Sequence, residues 1–355
     1  MVTDLSRFKG CLMGLQVGDA LGVPWEIMAS EDILSATGGK GIQGFSKPSS
    51  RSVSEWYRET VLGNTSDDTQ LAFAVARSLI RRKEFDAVDC ALEHVREAER
   101  TMFGWGSTTR DGIKEFKDYF DSRGERGRHP FDCARAAKPG EGCGNGVAMK
   151  VAPLALYWSR CDPKKPTVDE LYNQVRVLGL MTHPDERASM AAFAVFLTIK
   201  SLLHGVRVDT DEFASRLFSR VLVDVSGREH LFGIADGVSG RLRRIQDADL
   251  LHAPASRVCE ALGTECFALE SVSTALAVFF RHPSNFKAGL LEAVNMGGDT
   301  DTIAAMAGAM IGASVGLEGI PEEWQNFKPE YLQAASLAEQ LCNVSRLDNI
   351  AGKMP

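Results

Sequence analysis

Apolar residues recur along this chain at three- and four-residue steps, and seldom in alternation. Leu5, Phe8, Leu12 and Leu15 fall on one face of a helix, with Asp4 placed to cap its start. The run Gly18-Asp19-Ala20-Leu21-Gly22-Val23-Pro24 is expected to break that helix. Thr69 to Arg82 reads as a second helix whose last turn carries Arg81 and Arg82, where cations suit the dipole. The same period predicts helices near 85–102, 168–182, 186–204, 210–223, 228–246, 264–280, 286–295, 302–316 and 330–343. Few segments alternate with period two. There is no βαβ rhythm, no repeat of fixed period and no heptad run. The expectation is an all-α fold, a compact helical bundle with one domain over residues 1–355. A long loop or insertion is expected at about 117–146, where Arg123, Arg126, Arg128, Arg135 and Lys138 stand among glycines and prolines. It reads as a solvated insertion, with a lid or partner-recognition loop as the alternative.

Composition narrows the class. The 355 residues are 44% hydrophobic and 25% charged, the ordinary balance of a globular chain. Lys and Arg number 40 against 47 Asp and Glu, so the net charge of −7 gives no support to a nonspecific nucleic-acid binder. The longest uncharged stretch, Thr302 to Leu317, has 16 residues. That is short of the roughly 20 a membrane span needs, and its Ala and Gly content suits a buried helix. The first residues show no charged-then-apolar signal peptide. The eight cysteines form no CxxC pair and read as reduced, buried and inert thiols. A cytoplasmic location is expected.

Two short segments carry candidate chemistry. Asn64-Thr65-Ser66-Asp67-Asp68-Thr69 and Gly297-Gly298-Asp299-Thr300-Asp301-Thr302 each set two aspartates beside hydroxyl residues at a helix entrance. One such segment is ordinary helix capping. Two carboxylates in each exceed what a cap uses. The helix after the second segment has little bulk, with Ala304, Ala305, Ala307, Gly308, Ala309, Gly312 and Ala313, so it can approach another helix closely. That would bury Asp299 and Asp301, and buried carboxylates need partners. All-oxygen ligands favour Mg²⁺ or Mn²⁺ over zinc, and four carboxylates are enough for two ions.

The chain resembles the ADP-ribosylglycohydrolase family over roughly residues 5–320. Five segments in family order carry the resemblance. They are Gly10-Cys11-Leu12-Met13-Gly14 through Gly18-Asp19-Ala20-Leu21-Gly22 with Glu26; Ser66-Asp67-Asp68-Thr69; Gly144-Asn145-Gly146-Val147-Ala148-Met149-Lys150-Val151-Ala152-Pro153-Leu154; Thr182-His183; and Asn295-Met296-Gly297-Gly298-Asp299-Thr300-Asp301-Thr302.

The resemblance implies an all-α orthogonal bundle around two divalent cations, Mg²⁺ or Mn²⁺. It places metal ligation on Ser66, Asp67, Asp68, Asp299, Asp301 and Thr302. Ser66 stands where the family usually has threonine, and Thr65 beside it could compete for that role. Substrate binding falls on Asn145, Gly146, His183, Met296, Gly297 and Gly298. Asp299 or Asp301 would orient or deprotonate the attacking water, with Glu26 as an assisting acid or base, or as a gate. Gly142-Cys143-Gly144-Asn145-Gly146 would offer backbone N–H groups to a pyrophosphate, or serve as a tight turn. Asp19 is weighed between a helix cap and a supporting group behind the metals. Trp105 is read first as core, with stacking on adenine as the alternative.

The implied activity is removal of ADP-ribose from a modified protein side chain, arginine first. The alternatives are ADP-ribosylserine, O-acetyl-ADP-ribose or the polymer, and, from another class, a non-catalytic ADP-ribose- or toxin-binding (immunity) protein. The implied partner is an ADP-ribosylated protein or an ADP-ribose-containing small molecule, with no membrane.

Overall fold

The computed structural model describes residues 2–47, 61–122, 131, 142–160, 166–204, 206, 208 and 211–351. Sixteen helices follow one another among them. They are α1 (Asp4–Gly22), α2 (Ser30–Ala36), α3 (Asp67–Arg82), α4 (Ala87–Arg100), α5 (Ser107–Asp121), α6 (Ala152–Tyr157), α7 (Val168–Gly179), α8 (Glu186–Leu203), α9 (Asp211–Leu231), α10 (Val238–Asp247), α11 (Ala255–Leu262), α12 (Ala268–Arg281), α13 (Phe286–Asn295), α14 (Thr300–Val315), α15 (Glu322–Gln325) and α16 (Leu332–Ala351). Among the described residues there is no sheet, only isolated bridges between Ala29 and Gly297 and between Gly144 and Phe267. The all-α expectation is met.

The centre of the fold is the contact between α1 and α14. Gly10, Gly14, Gly18 and Gly22 recur every four residues and therefore form one ridge of α1. A Cβ on Gly10, Gly14 or Gly18 would fall against the backbone of Gly312, Gly308 or Ala304, and one on Gly22 against the backbone of Asp301. Gly308 and Gly312 meet Gly14 and Gly10 in the same way. The two backbones touch because neither helix has side chains between them. This corrects the expected break at Gly18: helix α1 runs on to Gly22, because its glycines pack. Val23–Trp25 then forms a single 3-10 turn. The cap at the start is Thr3, whose hydroxyl accepts from Ser6 N at 3.2 Å, and Asp4 is the first helical residue.

Around this pair lie α3, α13 and α16, and α8 and α12 also pack on α14. Both α8 and α12 are almost wholly buried, which explains their near-continuous apolar runs.

Other differences have local causes. Helix α9 continues through Gly227, where two helices were expected, and ends before Gly233 in a left-handed conformation (φ 66°). A helical glycine costs about 1 kcal/mol, and burial of Val221 and Val225 in the turns before it offsets that cost. Helix α5 occupies the start of the expected long loop, held by buried Ile113 and Phe116. The basic residues Arg123, Arg126, Arg128, Arg135 and Lys138 lie outside the described residues. Helices α2, α6 and α11 are short and carry too few turns for their period to register.

The ridge makes a direct prediction. Gly14→Ala should destabilise the protein by about 2–3 kcal/mol, because the added methyl meets a backbone carbonyl that cannot rotate away. Urea unfolding measures this, and a loss below about 0.5 kcal/mol would show that the helix pair yields freely.

Candidate metal centre

Three helix ends meet at the base of the ridge. Asp19 lies in the last turns of α1, Ser66-Asp67-Asp68 opens α3, and Asp299-Thr300-Asp301-Thr302 opens α14. Thr300 Oγ1 donates to Gly22 O at 3.0 Å and ties the end of α1 to the start of α14.

Asp19 is fully buried and works as a cap supplied from another helix. Its carboxylate accepts from Ser66 N (2.9 Å to Oδ1), Thr69 N (3.1 Å to Oδ2) and Thr69 Oγ1 (2.5 Å to Oδ2). The two N–H groups are ones that an isolated helix start would leave unsatisfied. Ser66 Oγ lies 2.9 Å from Asp19 Oδ1 and 3.0 Å from Asp68 Oδ2, and it accepts from Asp68 N. Thr302 Oγ1 donates to Asp68 Oδ2 at 3.1 Å, so the second acidic segment reaches the first. Thr65 is half-buried, and its carbonyl accepts from Gln70 Nε2.

Two sets of carboxylates stand close enough to share a cation. Asp19, Asp68 and Asp301 form one, and Glu26, Asp299 and Asp301 the other, each with ligand oxygens within 4.8 Å of one another. Asp301 belongs to both. The donors are all hard oxygens, which fits Mg²⁺, Mn²⁺ or Ca²⁺ chemistry. Asp68 Oδ1 is buried and has no hydrogen-bond partner among the described residues, an orphan acceptor that a cation would satisfy.

Electrostatics give the same account. Burial, then the charges of Asp299, Asp67 and Asp19, push Glu26 up to about 9. Burial and Asp19 push Asp67 up to about 8. Asp68 and Asp301 are raised well above the usual carboxylate range, first by burial and then by neighbouring carboxylates. Asp19 is raised to about 6, its burial opposed by the hydrogen bonds from Thr69 and Ser66. These groups are crowded beyond what their hydrogen bonds offset, and positive charge is what they lack.

A cavity of about 280 Å³ opens over the cluster. Glu26, Asp67, Asp68, Asn145, Gly146, His183, Asp299, Asp301 and Thr302 all line it. Ser66 does not reach its wall. Asn145 Nδ2 donates to Asp299 Oδ2 at 2.5 Å and lies 3.0 Å from Ser271 Oγ. The backbone N–H of Asn145 donates to Cys266 O and is therefore not free for an anion, contrary to that part of the pyrophosphate expectation. The His183 ring packs on Gly144 and Gly146, and burial holds it neutral, down to about 3.

Met296, Gly297 and Gly298 lie behind this wall. Gly297 and Gly298 have φ of 78° and 73°, and a Cβ on either would strike the backbone of Met28–Ser30 or of Thr264. That close approach lets Ile27 N donate to Gly298 O at 2.8 Å and Gly298 N to Met28 O at 2.9 Å, fixing the segment that carries Glu26. Met296 and Gly298 line a second groove of about 380 Å³ on the far side, with Ile27, Glu31, Glu260 and Glu265.

Trp105 is fully buried with Nε1 on Gln70 Oε1 at 2.7 Å, so it is core and offers no stacking face. Cys266 departs from the expectation of buried thiols: it is exposed on the cavity wall, beside Asp299. Nothing in its sequence context marked it.

Comparison with known proteins identifies the family. The family described as ADP-ribosylglycohydrolase matches residues 1–350. ADP-ribosylhydrolase ARH3 of Homo sapiens is 31% identical over 96% of this chain and 94% of its own length. The ADP-ribosyl-[dinitrogen reductase] glycohydrolase of Rhodospirillum rubrum is 26% identical over 90% and 88%. A solved structure titled ADP-ribosylglycohydrolase-related protein complex superposes with a TM-score of 0.68 at 25% identity, over 96% of this chain and 99% of that one. With its whole described fold, its acidic segments and this breadth of similarity in accord, the chain belongs to the ADP-ribosylglycohydrolase family of hydrolases.

Proposed function

We propose that this protein removes ADP-ribose from modified protein side chains by hydrolysis at C1 of the distal ribose, with two divalent cations, Mg²⁺ or Mn²⁺, held by the carboxylates at the starts of α3 and α14. The observation that carries the reading is the pair of carboxylate sets sharing Asp301 at the floor of one cavity. When bound, the cations supply Lewis acidity, lowering the pKa of water and orienting hydroxyl groups of the substrate.

The protein's own groups divide the remaining work. Asp67, Asp68, Asp299 and Asp301 hold the cations, with Thr302 and Ser66 supporting them. Asn145 fixes the rotamer of Asp299 through the Nδ2 bond. Asp299 or Asp301 orients the attacking water and accepts its proton. The water oxygen bonds to C1 as the bond from C1 to the acceptor breaks, and the acceptor leaves with a proton. Glu26, on the segment pinned by Gly298, assists at the acceptor atom. Gly146 and the neutral His183 form the ribose-facing wall.

Arginine is the first acceptor proposed. The groove outside the Glu26 segment carries Glu31, Glu260 and Glu265 and, among the described residues, no basic one, so it suits a cationic side chain. A hydroxyl acceptor is the second reading. It is favoured by the higher identity to the ARH3 protein (31%) than to the dinitrogen-reductase glycohydrolase (26%).

Purified protein, given arginine- and serine-ADP-ribosylated substrates with Mg²⁺, Mn²⁺ or EDTA, should release free ADP-ribose only with metal. Asp301→Ala should lower the rate by about 100-fold or more, since it removes a ligand shared by both sets. Tight ADP-ribose binding without release from any substrate would replace hydrolysis by a binding role.

Charge linkage gives a second test. Glu26 and Asp67 are raised to about 9 and about 8, whereas unfolded carboxyls titrate near pH 4. Between these limits the metal-free folded state binds more protons than the unfolded chain, so its stability is present at low pH and lost as pH rises through 8–9. Cations displace those protons, so stabilisation by metal grows with pH. In EDTA the Tm should fall between about pH 6 and about pH 9, and Mg²⁺ or Mn²⁺ should raise it most at the alkaline end. A metal-free Tm that is level or climbs across this range would contradict the assignment of buried, proton-holding carboxyls.

A further inference from the structure

Lys150 is a charged side chain in a position where an apolar one would be less costly. It is fully buried, and its Nζ donates to Thr182 Oγ1 at 2.8 Å. Burial lowers it to about 8, opposed by the nearby Cys90 thiol and the Asp67 carboxyl. An ammonium buried with so few polar partners costs several kcal/mol. Its place in the chain gives it a use.

Lys150 ends a segment, Gly142–Lys150, that is docked along its length on the turn Gly179–Pro184. Gly142 lies against Pro184, Gly144 and Gly146 against the His183 ring, and the Val147 side chain against Gly179. The turn itself is closed by Thr182 N and His183 N, both donating to Gly179 O. Most of these contacts are apolar or steric and leave sliding unopposed. The bond from Lys150 to Thr182 is directional. At the other end, Asn145 N donates to Cys266 O at 3.1 Å and Ala268 N to Cys143 O at 3.0 Å. Asn145 is therefore stretched between two anchors, with its Nδ2 on Asp299.

We propose that Lys150 is a positioning residue for substrate binding: through Thr182 it fixes the His183 turn, and with it the height of Asn145 and Gly146 over Asp299. It touches neither substrate nor the reacting atoms. The proposal rests on the functional reading above for its ligand, but its structural part can be tested without one.

The experiment uses the full-length protein as Lys150→Met, Thr182→Val and the double variant. Three quantities are read: the Tm, the ring carbon signal of His183 in protein labelled with ¹³C at histidine Cε1 and assigned by its loss in His183→Gln, and the Kd for ADP-ribose by calorimetry in Mg²⁺. Lys150→Met should keep or raise the Tm, because a buried charge has gone, while it shifts the His183 signal and weakens ADP-ribose about tenfold. Thr182→Val should shift the signal and weaken ADP-ribose in the same way, but lower the Tm, because the buried ammonium loses its acceptor. The double variant should be no worse than either single one, because both break one connection. Losses that add, or a His183 signal that stays in place, would overturn the proposal. So would a fall in Tm with Kd unchanged, which is the mark of a merely structural lysine. Where Lys150→Met fails to fold, Thr182→Val alone decides, since it removes the same bond. If the wild type binds no ADP-ribose, the functional reading fails, and the His183 signal still decides the role of Lys150.

Discussion

Everything at the metal centre depends on how closely α1 approaches α14. Side chains ordinarily hold helix axes 8–10 Å apart. Here glycines on both helices remove that spacing, and Gly22 lies against the backbone of Asp301 itself. Asp19 and Asp301 then fall into one set of ligand oxygens because the backbones that carry them are in contact. A larger residue anywhere on the ridge would part the carboxylates as well as the helices. The ridge is in this sense part of the site, although no glycine in it lines the cavity.

That closeness has an electrostatic cost. Asp19, Glu26, Asp67, Asp68, Asp299 and Asp301 converge with Lys150 as the buried cation among them. Asp19 is relieved by four donors from Ser66 and Thr69, which is why it is raised least of the shifted carboxyls. Asp68 has no such relief at Oδ1. Hydrogen bonding has been spent on the group that joins helices and withheld from the group that faces the cavity. In the proposed reading this asymmetry separates Asp19, a scaffold carboxylate, from Asp68, a ligand, although both lie within reach of the same candidate cation position.

Much of this was legible beforehand, for physical reasons. Long amphipathic or wholly apolar helices such as α3, α8, α12 and α14 announce themselves because many residues repeat one period. The two acidic segments stood out because each has one carboxylate more than a helix cap uses. Asp19 was harder to place. It sits alone between glycines, and only the folded chain shows that its partners are 47 and 50 residues away. Gly18 and Gly22 were misread as a helix break because a packing glycine and a breaking glycine look alike in one chain. The difference lies in the partner helix nearly 300 residues later. Trp105 lies in the core, as first read, whereas Cys266 departs from the expected burial and stands on the cavity wall. Neither has a local pattern that specifies exposure.

The five motifs also divide the substrate unevenly. Most of their functional residues face the 280 Å³ cavity, where a ribose would be held. The groove on the other side of the Glu26 segment draws on Ala255, Ser256, Cys259, Glu260, Thr264 and Glu265, none of which belongs to a motif. Those residues come from α11 and the turn after it, a stretch too short for its period to be read. Chemistry at the ribose is thus encoded in strongly patterned segments at the ends of long helices. In the proposed reading, contact with whatever carries the ribose draws mainly on a short, weakly patterned one, beside Asn295, Met296 and Gly298 of the last motif. A chain can change the second without disturbing the helix contact on which the first depends, and for that reason membership of this family determines the bond that is cut more firmly than the acceptor it is cut from.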